Sequence, residues 1–119
     1  MPSPTQRSLA LLREQGYTPW IVEYWNAYAR IRKDLYGFID IVALKENTPG
    51  LLGVQTTSGS NVSARITKIR ANPLHRLWLS CGNRIQVHGW RKLTRGFSRP
   101  TWQCQITDIE NQTLEDLLS

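Results

Sequence analysis

"FIDIVALKENTPGLLGVQTTSGSN", Phe38 to Asn61, is the stretch on which the fold turns. Two apolar runs flank a turn at Thr48-Pro49-Gly50. The first, "YGFIDIVAL" at 36–44, is near-continuously apolar, as a strand covered on both faces is, yet Asp40 sits inside it. The second, "LLGVQTT" at 51–57, ends in an amide and two hydroxyls. Residues two apart on a strand share a face, so Gln55 and Thr57 are expected on one side and Thr56 on the other. If the two strands are neighbours, Asp40 and Gln55 converge. A lone buried aspartate is costly unless it is paired or binds a metal. A carboxylate, an amide oxygen and a backbone carbonyl, here that of Thr56, are hard ligands that suit Mg²⁺. The plainer alternative pairs Asp40 with Arg30 or Arg32.

Outward from this core, "SPTQRSLALLREQG" at 3–16 predicts a helix. Ser3 caps it, Pro4 suits its first position, Gln6 completes a capping box and Gly16 stops it. "WIVEYW" at 20–25 reads as a strand, being aromatic and β-branched. "SNVSARITKIR" at 60–70 places Val62, Ile66 and Ile69 on one helical face, with Arg65 and Lys68 turned away. Asn72 and Pro73 restart a short helix, "PLHRLWLS", ended by Gly82. "RIQVHGW" at 84–90 and "TWQCQITDI" at 101–109 read as two further strands. The order predicts an α/β fold: one domain over residues 1–119, with helices around a mixed sheet of about five strands.

The chain has 119 residues, enough to bury a core without disulfides or a structural metal. A zinc site from His75, Cys81, His88 and Cys104 would have spacings that match no familiar pattern. Two cysteines, no long apolar stretch and no signal-peptide pattern lead us to expect a cytoplasmic protein with reduced thiols and no membrane partner. The net charge is +6 and the isoelectric point about 9.8. From Asn47 to Gln105 there is no Asp or Glu. The last twelve residues hold four acids, Asp108, Glu110, Glu115 and Asp116, without which the body stands at +10. Such a field attracts phosphate backbones. Basic residues also interleave with Trp and His in "HGWRKLTRGFSR" at 88–99, a pattern that fits nucleic acid.

"RIRKDLYGFIDIVAL…LLGVQTTSGSN" resembles the core of the PD-(D/E)XK nuclease superfamily, in particular the branch of archaeal-type Holliday junction resolvases. That branch carries an arginine, a short polar stretch, and a glycine three residues before an aspartate in an apolar strand. The counterparts are Arg30 or Arg32, Asp34, Gly37 and Asp40. A hairpin and a strand with Glu-x-Lys follow, for which this chain has Gln55-Thr56-Thr57. The likeness covers roughly residues 5–70. It implies a three-layer, restriction-endonuclease-like fold and a homodimer that cuts DNA, with branched DNA as one target, by Mg²⁺- or Mn²⁺-dependent phosphodiester hydrolysis.

On that reading Asp40, Gln55 and the carbonyl of Thr56 hold the metal, and an acid from Glu14, Glu23 or Asp34 completes the shell. Thr57 stands where the family has its lysine and brings no charge, so Lys68, or Arg65 one turn earlier, is the expected substitute. Arg30, Arg32, Lys33, Arg65, Arg70, Arg84, Arg91, Lys92 and Arg95 are the expected phosphate contacts, which position DNA without reading its sequence. Loss of Glu-x-Lys also fits a catalytically silent DNA-binding module that keeps the fold. A third alternative is a basic domain that contacts a protein.

Overall fold

Ser3 starts the first helix, α1 (Pro4–Glu14): its Oγ accepts the Gln6 amide at 3.2 Å, and Pro4 takes the first helical position. The computed structural model describes residues 2–94, 96 and 99–111. After α1 come β1 (Tyr17–Ile21), β2 (Tyr24–Asn26), β3 (Ile31–Lys33), β4 (Ile41–Lys45) and β5 (Leu52–Ser58). A 3-10 turn at Gly59–Asn61 leads into α2 (Val62–Ala71) and α3 (Leu74–Ser80), then β6 (Arg84–Leu93) and β7 (Thr101–Ile109).

Five strands form one sheet in the order β1-β4-β5-β6-β7. Only β5 and β6 run parallel, because α2 and α3 carry the chain back across one face between them. The protein is therefore α/β, with a five-stranded mixed sheet flanked by three helices, as the sequence predicts. The first six residues of β5 are all buried, as the central strand of a sheet covered on both faces must be. Leu52 and Val54 pack with Leu9 and Leu12 of α1, and with Ile41 and Ala43. On the other face Val62 and Ile69 of α2 and Trp78 of α3 pack with Ile85, Val87, Ile39 and Ile109. Gly89 of β6 lets α2 approach this face. A Cβ there would meet Val62 Cγ2 at 2.2 Å.

Two expected strands differ. The run 20–25 is broken at Val22 and Glu23, whose amides both donate to the Asp40 carbonyl, at 2.9 and 3.3 Å. That carbonyl turns the chain out of the sheet, and residues 24–26 pair instead with residues 31–33 in a separate two-stranded sheet. The run 36–44 does not become a strand until Ile41. Tyr36 and Gly37 take positive φ values of 54° and 85°, and the amides of Phe38 and Ile39 fold back onto the Leu35 carbonyl. Apolarity there comes from burial of Phe38 and Ile39 under α2 and α3, not from an extended backbone. Among the described residues no helix is long and apolar enough to cross a membrane.

Candidate functional site

The site is built where β4 stops short of β5. The ladder between them begins at Ile41↔Val54, and the Asp40 amide adds one bond to the Val54 carbonyl at 2.9 Å. The next donor on that edge of β5 is the Thr56 amide, two residues on, and β4 has no carbonyl left to accept it. The Asp40 carboxylate takes that place: its Oδ2 accepts the Thr56 amide at 2.8 Å, the Thr56 hydroxyl at 3.1 Å and Gln55 Nε2 at 2.8 Å. Lying at the strand edge rather than on one face, the carboxylate meets side chains from both faces. Thr56 therefore reaches Asp40 although it points to the α1 side, where its Oγ1 also lies 2.9 Å from Thr5 Oγ1. Alternation alone turned Thr56 away from Asp40, and this edge position corrects that expectation.

The turn at Val22–Glu23 and the bridge Leu35↔Ile39 bring two more acids alongside. One carboxylate oxygen each from Glu23, Asp34 and Asp40 lie within 4.8 Å of one another. Of the three acids left open as completing the shell, Glu23 and Asp34 both join. Glu14, exposed at the far end of α1, does not line the cleft. Burial pushes the Asp40 carboxyl up to about 8, reinforced by hydrogen bonding with Asp34 and by the charges of Asp34 and Glu23, against the pull of the Thr56 amide. Arg32 Nη1 donates to Glu23 Oε1 at 3.1 Å. Among the described residues it is the one cation paired to an acid, and it is paired to Glu23 rather than Asp40.

Gln55 is buried, and its Nε2 also reaches toward Asp34 Oδ2 at 3.5 Å. Its Oε1 is buried with no partner. Among three carboxylates, an amide left to itself presents its nitrogen and strands its oxygen, a costly arrangement for a buried acceptor.

The acids open into a cleft of about 410 Å³. Ser3, Pro4 and Thr5 at the start of α1 form one wall, and Arg65 and Lys68 of α2 line it too. Thr57 is buried and does not line it, so the basic side chains that α2 brings to the cleft are Arg65 and Lys68. The α1 wall had no signal in the sequence, because it arises only when the helix packs across β5.

The expected phosphate contacts divide. Arg32 and Arg65 line the cleft beside Lys68, and Arg30 and Lys33 are exposed on the β2–β3 hairpin. Arg70 and Lys92 are exposed, and exposed Arg91 lines a second pocket of about 280 Å³ with Gly59, Gly89 and Gln103. Arg84 turns inward: Nη1 donates to the Tyr17 hydroxyl at 2.9 Å, and its Nε and Nη2 are buried. Arg95, Glu115 and Asp116 lie outside the described residues.

Among the described residues no His/Cys cluster forms. His75 Nδ1 sits 2.7 Å from the Asn72 carbonyl, and Cys81 is exposed. His88 is enclosed between Ser8 Oγ, 2.9 Å from Nδ1, and Gln86 Oε1, 3.0 Å from Nε2. Trp90 Nε1 donates to the same Ser8 Oγ, and Gln86 Nε2 to Asp108 Oδ1. One assignment satisfies every group: the Ser8 hydroxyl donates to Nδ1, and the Nε2 proton goes to Gln86. Burial accordingly lowers the His88 pKa to about 4 and keeps the ring neutral. His88 ties α1 to β6 and takes no part in the cleft.

Neither a family model, nor a curated protein, nor a solved structure matches the chain.

Proposed function

We propose that the cleft hydrolyses phosphodiester bonds in DNA with the help of a bound Mg²⁺ or Mn²⁺. The observation that carries this reading is opposite charge held at close range. Glu23, Asp34 and Asp40 converge within 4.8 Å, and Arg65 and Lys68 line the same cleft. The first set suits a hard cation and the second a phosphate. The donors fit such an ion: all are oxygens, and the buried Gln55 Oε1 without a partner is a further one. Glu23, Asp34 and Asp40 would hold it, with Gln55 beside them, and Thr56 would fix the Asp40 carboxylate through its amide and hydroxyl. The ion supplies Lewis-acid activation of water and neutralises phosphate charge. Lys68 and Arg65 bind the phosphate and stabilise the charge that develops on it. The start of α1 adds a favourable dipole end for an anion. The likeness of roughly residues 5–70 to PD-(D/E)XK nucleases points the same way, and with it a symmetric dimer facing two strands, which sedimentation velocity reads directly.

A specific observation favours a second reading, a DNA-binding module without cleavage. Asp40 Oδ2 is already saturated by three protein donors, and the position of the family's lysine holds the buried Thr57. Incubation with linear, nicked and four-way-junction DNA in Mg²⁺, Mn²⁺ or EDTA separates the two. We expect cutting with either metal, none in EDTA, and none by Asp40→Asn, whose fold and DNA affinity persist. Intact substrates in every buffer, with no metal-induced rise in melting temperature, would establish the silent module.

A further inference from the structure

The chain leaves the sheet after Ile21 and returns at Ile41, and between these points it exposes aromatic rings that no core explains. Tyr24 is 57% exposed, Trp25 60% and Tyr28 fully exposed. They sit on the β2–β3 hairpin, whose strands pair only with each other. Two three-residue strands are marginal in water on their own. The tip is nevertheless shaped: Asn26 Oδ1 accepts the amides of Tyr28 and Ala29 at 3.0 and 3.1 Å, and Arg30 takes a φ of 53°.

We propose that this hairpin is a stacking platform for unpaired bases of a DNA strand leading into the cleft, an inference that rests on the DNA-directed reading above. Charge complementarity favours this occupant. Residues 24–33 contain Arg30, Arg32 and Lys33 and no acid. The register sets two of the three rings against cations, Tyr24 opposite Lys33 and Trp25 opposite Arg32. A protein interface core is depleted of charge, whereas single-stranded nucleic acid offers alternating flat bases and phosphates that match rings and cations in turn. Residues directly opposite on paired strands share a face, so Trp25 lies on the face of Arg32. Arg32 itself lines the carboxylate cleft and binds Glu23. A base stacked on Trp25 thus sets its neighbouring phosphate toward the acids. Stacked base pairs in an intact duplex present no free face, so the substrate class is DNA with an unpaired segment at or beside the cut: a flap, an overhang or an open junction.

The test is fluorescence anisotropy in EDTA, where binding is read apart from cleavage. The probes are a labelled single strand of about 20 nucleotides and the blunt duplex of the same sequence. The wild type is expected to bind the single strand more tightly. Trp25→Ala should weaken that binding about tenfold and duplex binding less than about twofold, while Trp25→Phe, which keeps a ring, restores it to within about threefold. The Trp25 side chain is exposed, so circular-dichroism melts of either variant should not move. Equal effects of Trp25→Ala on the two probes, or none on either, would overturn the platform and leave the DNA reading standing. A change in the protein's own sedimentation coefficient on Trp25→Ala would make the hairpin a self-association surface and overturn the platform too. If the wild type binds neither probe, both readings fall.

Discussion

Gln55 is the residue whose partners depend most on what the cleft contains. Its Nε2 is engaged by Asp40 and its Oε1 by nothing. Gln55→Glu replaces a donor by a fourth carboxylate. Without a cation the new carboxylate repels Asp34 and Glu23, and the melting temperature should fall, on the order of 1–3 kcal/mol in stability. With Mg²⁺ the added charge faces the cation, so the variant should gain more from metal than wild type does, since binding to the native state alone shifts unfolding by mass action. Half-maximal cleavage should need less Mg²⁺. Equal destabilisation with and without Mg²⁺ would count against the metal site. Asp40 was legible in the sequence as an acid out of place in an apolar run. Its duty to the Thr56 amide was not, because it depends on where β4 stops pairing.

At the scale of elements, the cleft depends on how closely α2 approaches β6. Arg65 and Lys68 reach it because Val62 sits against Gly89, where no side chain intervenes. Gly89→Ala should push the start of α2 off the sheet. Overpacking of this kind costs about 1–3 kcal/mol, measurable by urea denaturation. The displacement of Lys68 should lower cleavage and phosphate affinity beyond what the stability loss explains. Cleavage that remains at wild-type level in the folded variant would show that α2 does not serve the cleft. The helices and the strands of the main sheet past Gly50 follow their apolar periodicity. The β2–β3 hairpin does not, since its sequence is as aromatic and β-branched as a core strand, and only the Asp40 carbonyl diverts it.

The whole molecule is set by charge. The acid-free stretch from Asn47 to Gln105 should make DNA affinity fall steeply with salt, because phosphate contacts release counterions. Arg91 and Lys92 are both exposed on β6. Replacing the pair by alanine should reduce the slope of log K against log salt by about one to two, and a flat wild-type response would exclude the nucleic-acid reading. Two buried groups shape stability against pH. His88, lowered from 6.5 to about 4, is neutral in the fold, so its contribution is present above pH 6.5 and lost as pH falls toward 4. Asp40, raised from 3.8 to about 8, holds a proton that the unfolded chain has released, so its ionisation costs stability as pH rises from 3.8 to 8. From these two groups, metal-free stability is flat between pH 4 and 6.5, where the two slopes cancel, and falls from 6.5 to 8. Asp40→Asn should reverse the picture: flat above pH 6.5 and falling below it. Melts across this range check both shapes.

What the sequence alone determined is what local patterning and composition carry: the Ser3 cap, the α/β order, a strand at 51–57, the basic field, and Asp40 and Gln55 as residues out of place in apolar runs. What only the tertiary structure decided is which side chains meet. Glu23 stood in an expected strand and entered the site because the Asp40 carbonyl, seventeen residues away, turned its backbone. Thr56 faced away by alternation and came in because the carboxylate lies at a strand edge. Thr5 arrived by packing of α1, and Thr57, buried two residues beyond Gln55 on the same face, does not reach the cleft. Alternation along a strand depends on neighbouring residues and can be read from the chain. Where a ladder ends and what replaces it depends on two distant segments at once.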